Sequence, residues 1–291
     1  MTLAWQLLDT PPPVAALYSR AALRRNKVLG RLLPSQGLRA WLSPNPQKVK
    51  AYRALCGYAD SPLLPPTYPH VMAFGLQLAL LTDADFPLPL LGLVQLRNDI
   101  RTWRPLGGIA RVCASVHVEQ LQPHAQGATF TLVTRMDDAL GPLWEERSLL
   151  LCRDLHLDGV PEPELVPNTL LPLEEVSHWP VPADVGRRYA RVAGDLNPIH
   201  LGAMAARLFG FDQAIAPGMW TKARALAGLE GHLPAAPLDI RVAFDKPLPL
   251  PAEAVLSASV AGSSGQFRLA GRDGSTYLSG EWSPPGTAQT F

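Results

Sequence analysis

Between positions 194 and 200 the chain reads Gly194-Asp195-Leu196-Asn197-Pro198-Ile199-His200. A carboxylate and an imidazole this close could converge on one water molecule and work as a general acid and base. Gly194 permits a sharp backbone turn directly before the carboxylate. His200, three residues past Asn197, falls in the first turn of the helix that Pro198 would open, so its ring can project back towards Asp195. The same residues also read as a plain helix start, with Asn197 as N-cap and Pro198 at N1, where a missing N–H costs nothing. On that reading Asp195 is a turn residue and His200 has no special role. The residues alone leave both readings open.

The elements that must hold this segment come in two copies. Trp179–Gly194 contains Tyr189-Ala-Arg-Val-Ala-Gly194, and far upstream Trp41–Gly57 contains Tyr52-Arg-Ala-Leu-Cys-Gly57. A Pro then opens a helix-like stretch in each copy, at Pro69 and at Pro217, and a strand-like run closes on Arg104-Pro-Leu106 or Lys246-Pro-Leu248. The paired landmarks Tyr52/Tyr189, Pro69/Pro217 and Pro105/Pro247 lie 137, 148 and 142 residues apart. Common order at nearly constant offset marks a repeat. The copies differ chemically: Gly57 is followed by Tyr58-Ala-Asp60-Ser61-Pro-Leu63, so Tyr58 replaces Asp195 and Leu63 replaces His200.

Each copy ends in β structure. Val112, Ala114, Val116 and Val118 alternate with polar residues and predict a half-buried strand over 110–119. Strands over 128–135 and 149–152 follow. Strands over 254–260, 267–270 and 277–282 fill the same places in the second copy, separated by turns such as Gly262-Ser-Ser-Gly265. The class is therefore α+β, with one apolar helix per copy to pack against a sheet. The boundaries read as a first domain at 1–160 with an N-terminal arm, a Pro-rich linker at 161–172 and a second domain at 173–291.

Composition narrows the partners. Lys and Arg total 26 against 25 Asp and Glu, a net charge of +1, which excludes the clustered basic excess that a phosphate lane needs. Cys56, Cys113 and Cys152 are odd in number and share no CxxC spacing, so neither a disulfide framework nor a metal site is expected. The longest apolar stretch, 71–81, is too short for a bilayer, which takes ~20 residues. Arg20, Arg24, Arg25, Lys27 and Arg31 crowd the start, but Arg is used heavily throughout, so a packed arm rather than a transit peptide is expected. A cytoplasmic protein without membrane or nucleic-acid partners follows.

Tyr189 to His200, followed by Ala205, Gly210-Phe211 and Ala216-Pro217-Gly218-Met219, resembles the MaoC-like family of (R)-specific enoyl-CoA hydratases and dehydratases. The match covers roughly 175–285, and the first half resembles the degenerate N-terminal unit of double hot-dog members. The resemblance implies two tandem hot-dog domains, each a central helix wrapped by a curved antiparallel sheet, pairing into a double hot-dog within one chain. It implies a lyase acting on a trans-2-enoyl thioester, with Asp195 and His200 holding water and exchanging its protons and Asn197 supporting the loop. The backbone N–H of Gly218 or Met219 at the central helix start would meet the thioester oxygen, a role suited to a helix N-terminus. No cofactor or metal is implied beyond the CoA or acyl-carrier thioester of the substrate.

Other residues carry less. Thr221 lies near on the central helix and stays outside the catalytic set. Arg241 and Lys246 flank the strand after that helix and could meet CoA phosphates, with surface solvation as the alternative for each. His70, at the start of the first copy's helix without an evident carboxylate partner, reads as a capping or packing residue, and His117 as an exposed residue on a polar strand face. An acyl-thioester binding protein without catalysis is the second hypothesis. A hot-dog thioesterase is the third, disfavoured because hydrolysis there relies on a carboxylate on the central helix and 219–229 contains none. The degenerate half would hold the acyl tail, and dimerisation beyond the intrachain pair stays open.

Overall fold

The computed structural model describes residues 3–23, 30, 32–161 and 172–286. The linker expected at 161–172 lies, apart from its end residues, outside the described residues. The chain divides into two compact units: Met1–Pro44, Pro69–Asn98 and Ile109–Glu164 form unit 1, and Asn45–Tyr68, Asp99–Gly108 and Leu165–Phe291 form unit 2.

The first copy of the repeat runs β1 (Ala4–Leu8), α1 (Val14–Leu23), β2 (Gln36–Leu42), α2 (Pro46–Cys56), α3 (Tyr68–Leu81), β3 (Val94–Thr102), β4 (Val112–His124), β5 (Gly127–Asp138) and β6 (Gly141–Cys152). The second runs β7 (Glu174–Val181), α4 (Val185–Ala193), the short α5 (Pro198–Leu201) and α6 (Ala203–Arg207), α7 (Gly218–Gly228), then β8 (Leu238–Phe244), β9 (Ala252–Ala261), β10 (Ser264–Ala270) and β11 (Thr276–Ser283). Strand, short helix, central helix and antiparallel strands thus recur in order, and the class is α+β as expected.

In unit 1 the strands run β1-β2-β4-β5-β6, antiparallel throughout except that β1 lies parallel to β2. The N-terminal arm therefore supplies an edge strand as well as a helix, α1, which buries Leu17 and Ala21. The alternation read over 110–119 holds, for Val112, Ala114, Val116 and Val118 are all buried. Helix α3 is apolar nearly all round, as a fully packed helix is, and buries Ala73, Leu76, Leu78 and Leu80. In unit 2 the order is β8-β11-β10-β9-β7. Central helix α7 sits directly on that sheet, since a Cβ added at Gly228 would stand 2.7 Å from Leu256 of β9. The last residues of β3 also belong to this unit, where Arg101 holds Asp239 with bonds of 2.6 and 2.5 Å. Among the described residues no helix is long and apolar enough to cross a membrane.

The repeat landmarks meet in unit 2. Gly57 and Gly194 end α2 and α4 in the left-handed conformation, at φ 80° and 84°, where a side chain would be strained. Tyr52 and Tyr189, five residues before them, are both buried with ring centroids 6.3 Å apart. Tyr52 also packs on Tyr58 and Tyr68 and donates to Thr67 Oγ1 at 2.9 Å.

Burial pushes the Cys56 thiol and the Tyr68 phenol each up to about 12, and raises Tyr52 and Tyr58 as well. Up to about pH 9 the folded and unfolded chains hold these protons alike. The unfolded chain releases the Cys56 proton above about pH 9 and the tyrosine protons above about pH 10 while the fold retains them, so above those values stability falls by up to about 1.4 kcal/mol per pH unit for each such group. Thermal scans should show Tm falling steadily between pH 9 and 11, and a flat profile would contradict the burial argument.

Candidate active site

The backbone around Asp195 is set by short-range bonds. Gly194 closes α4 by donating its N–H to the Ala190 carbonyl at 2.9 Å, and its positive φ turns the chain back. Asp195 Oδ1 then accepts from Asn197 N–H at 3.1 Å, an Asx turn that aims the carboxylate. Asn197 caps α5 through its Oδ1, with Pro198 at the first helical position. The helix cap thus builds the turn that brings Asp195 and His200 together.

His200 Nε2 stands 3.7 Å from Asp195 Oδ2, the two side chains being 9% and 18% exposed. That separation exceeds a direct hydrogen bond and suits two groups sharing one oxygen between them. The other ring nitrogen, Nδ1, lies 2.8 Å from the Ile215 carbonyl. A carbonyl only accepts, so Nδ1 carries the proton and the neutral ring presents an unprotonated Nε2 to the carboxylate side. Ile215 is itself fixed: its N–H donates to Ile199, its neighbours Ala214 and Ala216 bond Leu250 and Leu248, and it forms a β-bridge with Pro249. In ¹⁵N-resolved NMR of the wild-type protein the neutral His200 ring is expected as the Nδ1–H tautomer. A ring in the Nε2–H form would undo this assignment.

Two supporting groups have no sequence signature. The Ile215 carbonyl acts through the backbone and is invisible to residue type. Gly186 of α4 lies against the turn that carries His200, for a Cβ there would fall 1.9 Å from the His200 carbonyl oxygen.

Pro217, at φ −60°, caps α7, so Gly218 and Met219 supply its first two N–H groups. Thr221 is buried and gives its hydroxyl to the Pro217 carbonyl at 3.1 Å, which engages it in its own helix. Arg241 on β8 faces Glu281 across the ladder, 3.3 Å away, and Lys246 is exposed in the loop after β8. His117 is half-buried, 3.4 Å from Glu119 and edge-on to Trp5. His70 departs from expectation: it has a carboxylate partner, Glu146 of β6, with Nδ1 2.8 Å from Oε2. The partner stands 76 residues on in sequence and is reached only through the fold.

Comparison with known proteins gives one consistent picture. The model of the MaoC-like domain matches residues 171–276. The 3-hydroxyacyl-thioester dehydratase X of Mycobacterium tuberculosis is 36% identical over 213 residues, which cover 73% of this chain and 75% of that protein. The crystal structure of HtdX from the same organism superposes with a TM-score of 0.74 at 30% identity, covering 84% of this chain and 98% of that one. A MaoC-like dehydratase from Phytophthora capsici shares the fold with a TM-score of 0.69 at 18% identity, over 90% and 99% of the two chains.

Proposed function

We propose, for a chain that belongs to the MaoC-like dehydratase family, that Asp195 and His200 catalyse the reversible hydration of a trans-2-enoyl-CoA to an (R)-3-hydroxyacyl-CoA. Membership and the dehydratase relative make the chain a lyase acting on acyl thioesters with a hot-dog fold. The observation that carries the residue assignment is the facing pair itself, Nε2 and Oδ2 at 3.7 Å with the opposite ring nitrogen tied to Ile215.

A water held between those atoms delivers its oxygen to C3 as the pair takes up a proton. The pair then returns the proton to C2 from the same face, so addition is syn and the pair's protonation is unchanged over a turnover. Charge that gathers on the thioester oxygen is met at the N-terminus of α7, by the N–H of Gly218 or Met219, where the helix dipole favours it. Asn197 supports the turn through its cap. Arg241 and Lys246 are the side chains assigned to the CoA phosphates, Arg241 exchanging part of its contact with Glu281. The reaction draws on side chains, backbone and water, with no cofactor.

Loss of the enoyl absorbance on adding the protein to crotonyl-CoA tests the reaction. Coupling the product to an (R)-selective and then an (S)-selective 3-hydroxyacyl dehydrogenase tests the stereochemistry. Absorbance that stays constant while acyl-CoA binds would favour the non-catalytic reading, and oxidation only by the (S)-selective enzyme would overturn the facial assignment.

A further inference from the structure

Unit 1 contains a buried polar cluster that hydration at Asp195 and His200 does not use. Glu146 is fully buried on β6. Its Oε1 accepts from Asn98 Nδ2 at 2.7 Å and its Oε2 from Gln77 Nε2 at 3.1 Å, with His70 Nδ1 2.8 Å from the same Oε2. The donors are themselves braced, Gln77 by Thr134 at 2.8 Å and Asn98 by Ser148 at 2.9 Å. Four elements (α3, β3, β5 and β6) thus converge on one carboxylate. Burying a carboxylate costs several kcal/mol unless it is paired and hydrogen-bonded, and an apolar residue would fill the same space without that cost.

The cluster orients one imidazole. Both Glu146 oxygens already accept amide protons, so Nδ1 of His70 is the donor in the third bond and the neutral ring is left with Nε2 as an acceptor. His70 keeps 12% of its side chain exposed, so the ring is partly open while Nδ1 is held inside by Glu146. A buried carboxylate fixing the tautomer of a partly exposed imidazole is the arrangement that makes a general base. The hydroxyls nearest the cluster, Thr134 and Ser148, accept from Gln77 and Asn98 on the buried side, and no described Ser, Thr or Cys bonds to Nε2. The proton taken must therefore come from water or from a ligand. In the repeat, Pro69-His70 stands where the second copy has Pro217-Gly218, at the first turn of a 14-residue central helix, where developing negative charge on a carbonyl oxygen is favoured.

We propose that His70, oriented by Glu146, is the general base of a second site in unit 1 that hydrolyses an acyl thioester. Nε2 takes a proton from water while the water oxygen bonds to the thioester carbon, giving a tetrahedral oxyanion. Collapse breaks the C–S bond, the imidazolium returns the proton to the departing thiolate, and a carboxylic acid and a free thiol result. No redox partner is needed. The carboxylate missing from the central helix is supplied by β6. The choice of thioester as substrate rests on the lyase reading, whereas the base and its orientation do not.

The test separates the two activities. Thiol release from a saturated acyl-CoA, which cannot be hydrated, is followed beside enoyl hydration of crotonyl-CoA. The wild-type protein and Asp195→Asn should both release thiol. His70→Gln should lower release by on the order of 10²-fold while hydration and Tm are retained. Glu146→Gln presents an amide N–H to Nδ1, reverses the tautomer and should also abolish release. Should that buried change unfold the protein, the partly exposed His70→Gln decides alone. Wild-type release no higher than the uncatalysed rate, release unchanged in His70→Gln, or release lost in Asp195→Asn would each overturn the proposal. Hydration absent while His70-dependent release persists would instead overturn the lyase assignment.

Discussion

Replacing Asp195 by Asn is expected to lower kcat for enoyl-thioester hydration by on the order of 10²- to 10⁴-fold with KM and Tm little changed. The amide keeps one oxygen, and that oxygen can still accept from the Asn197 N–H, so the turn at Gly194 survives. What is lost is the basic oxygen facing His200 Nε2 at 3.7 Å. His200→Ala should cost a similar factor, because it removes the nitrogen whose tautomer the Ile215 carbonyl sets. The double variant should be little worse than either single one, since two groups that pass one proton act as a unit. Enoyl absorbance measured at saturating and at limiting substrate separates kcat from KM. Activity within threefold of wild type in either single variant would remove the pair from the mechanism.

The ease with which these residues can be read from the chain follows from distance along it. Asp195, Asn197 and His200 lie within six positions, and the Asx turn, the cap and the left-handed glycine that shape them are all local. The repeat was legible for the same reason, since Tyr52–Gly57 and Tyr189–Gly194 are short helix ends with fixed internal spacing. Non-local contacts left no such trace. The Ile215 carbonyl is backbone, and the parallel pairing of β1 with β2 depends on no residue pattern within either strand. Strand β6 starts at Gly141, well before the 149–152 segment expected, because its inward positions Glu146 and Ser148 are polar and break the alternation. Glu146 sits inward to meet His70 and Ser148 to brace Asn98, so the disguised strand and the missed carboxylate have one cause. Sequence separation of 76 residues hid the pair.

Gly186→Ala is expected to impair hydration nearly as severely as loss of His200, although the residue has no side chain to take part in the chemistry. Its Cβ would lie 1.9 Å from the His200 carbonyl oxygen, 2.8 Å from the carbonyl carbon and 3.1 Å from the His200 Cβ. Two of these neighbours are backbone, so no rotamer change relieves the overlap. Either α4 or the α5 turn must move by more than an ångström, and α4 is pinned by the burial of Val185, Tyr189 and Ala193 along the same face. The α5 turn is the shorter element, held by single bonds from Ile215 to Ile199 and from His200 to Ile215, so it is the part that yields. A shift of that size spoils a geometry that needs two atoms 3.7 Å apart to share one oxygen, and misplacement by about 1 Å costs on the order of 10² in rate. Stability should fall by about 1–3 kcal/mol, the usual range for forcing an extra methyl into a packed site. Gly202→Ala is the matched comparison two residues past His200: nothing lies within 4 Å of its Cβ and its φ of 179° is open to any residue. It should leave rate and Tm close to wild type. Equal behaviour of the two alanine variants would mean that the α4 contact does not position His200, and a fall in kcat confined to Gly186→Ala, with acyl-CoA binding retained, would show that it does.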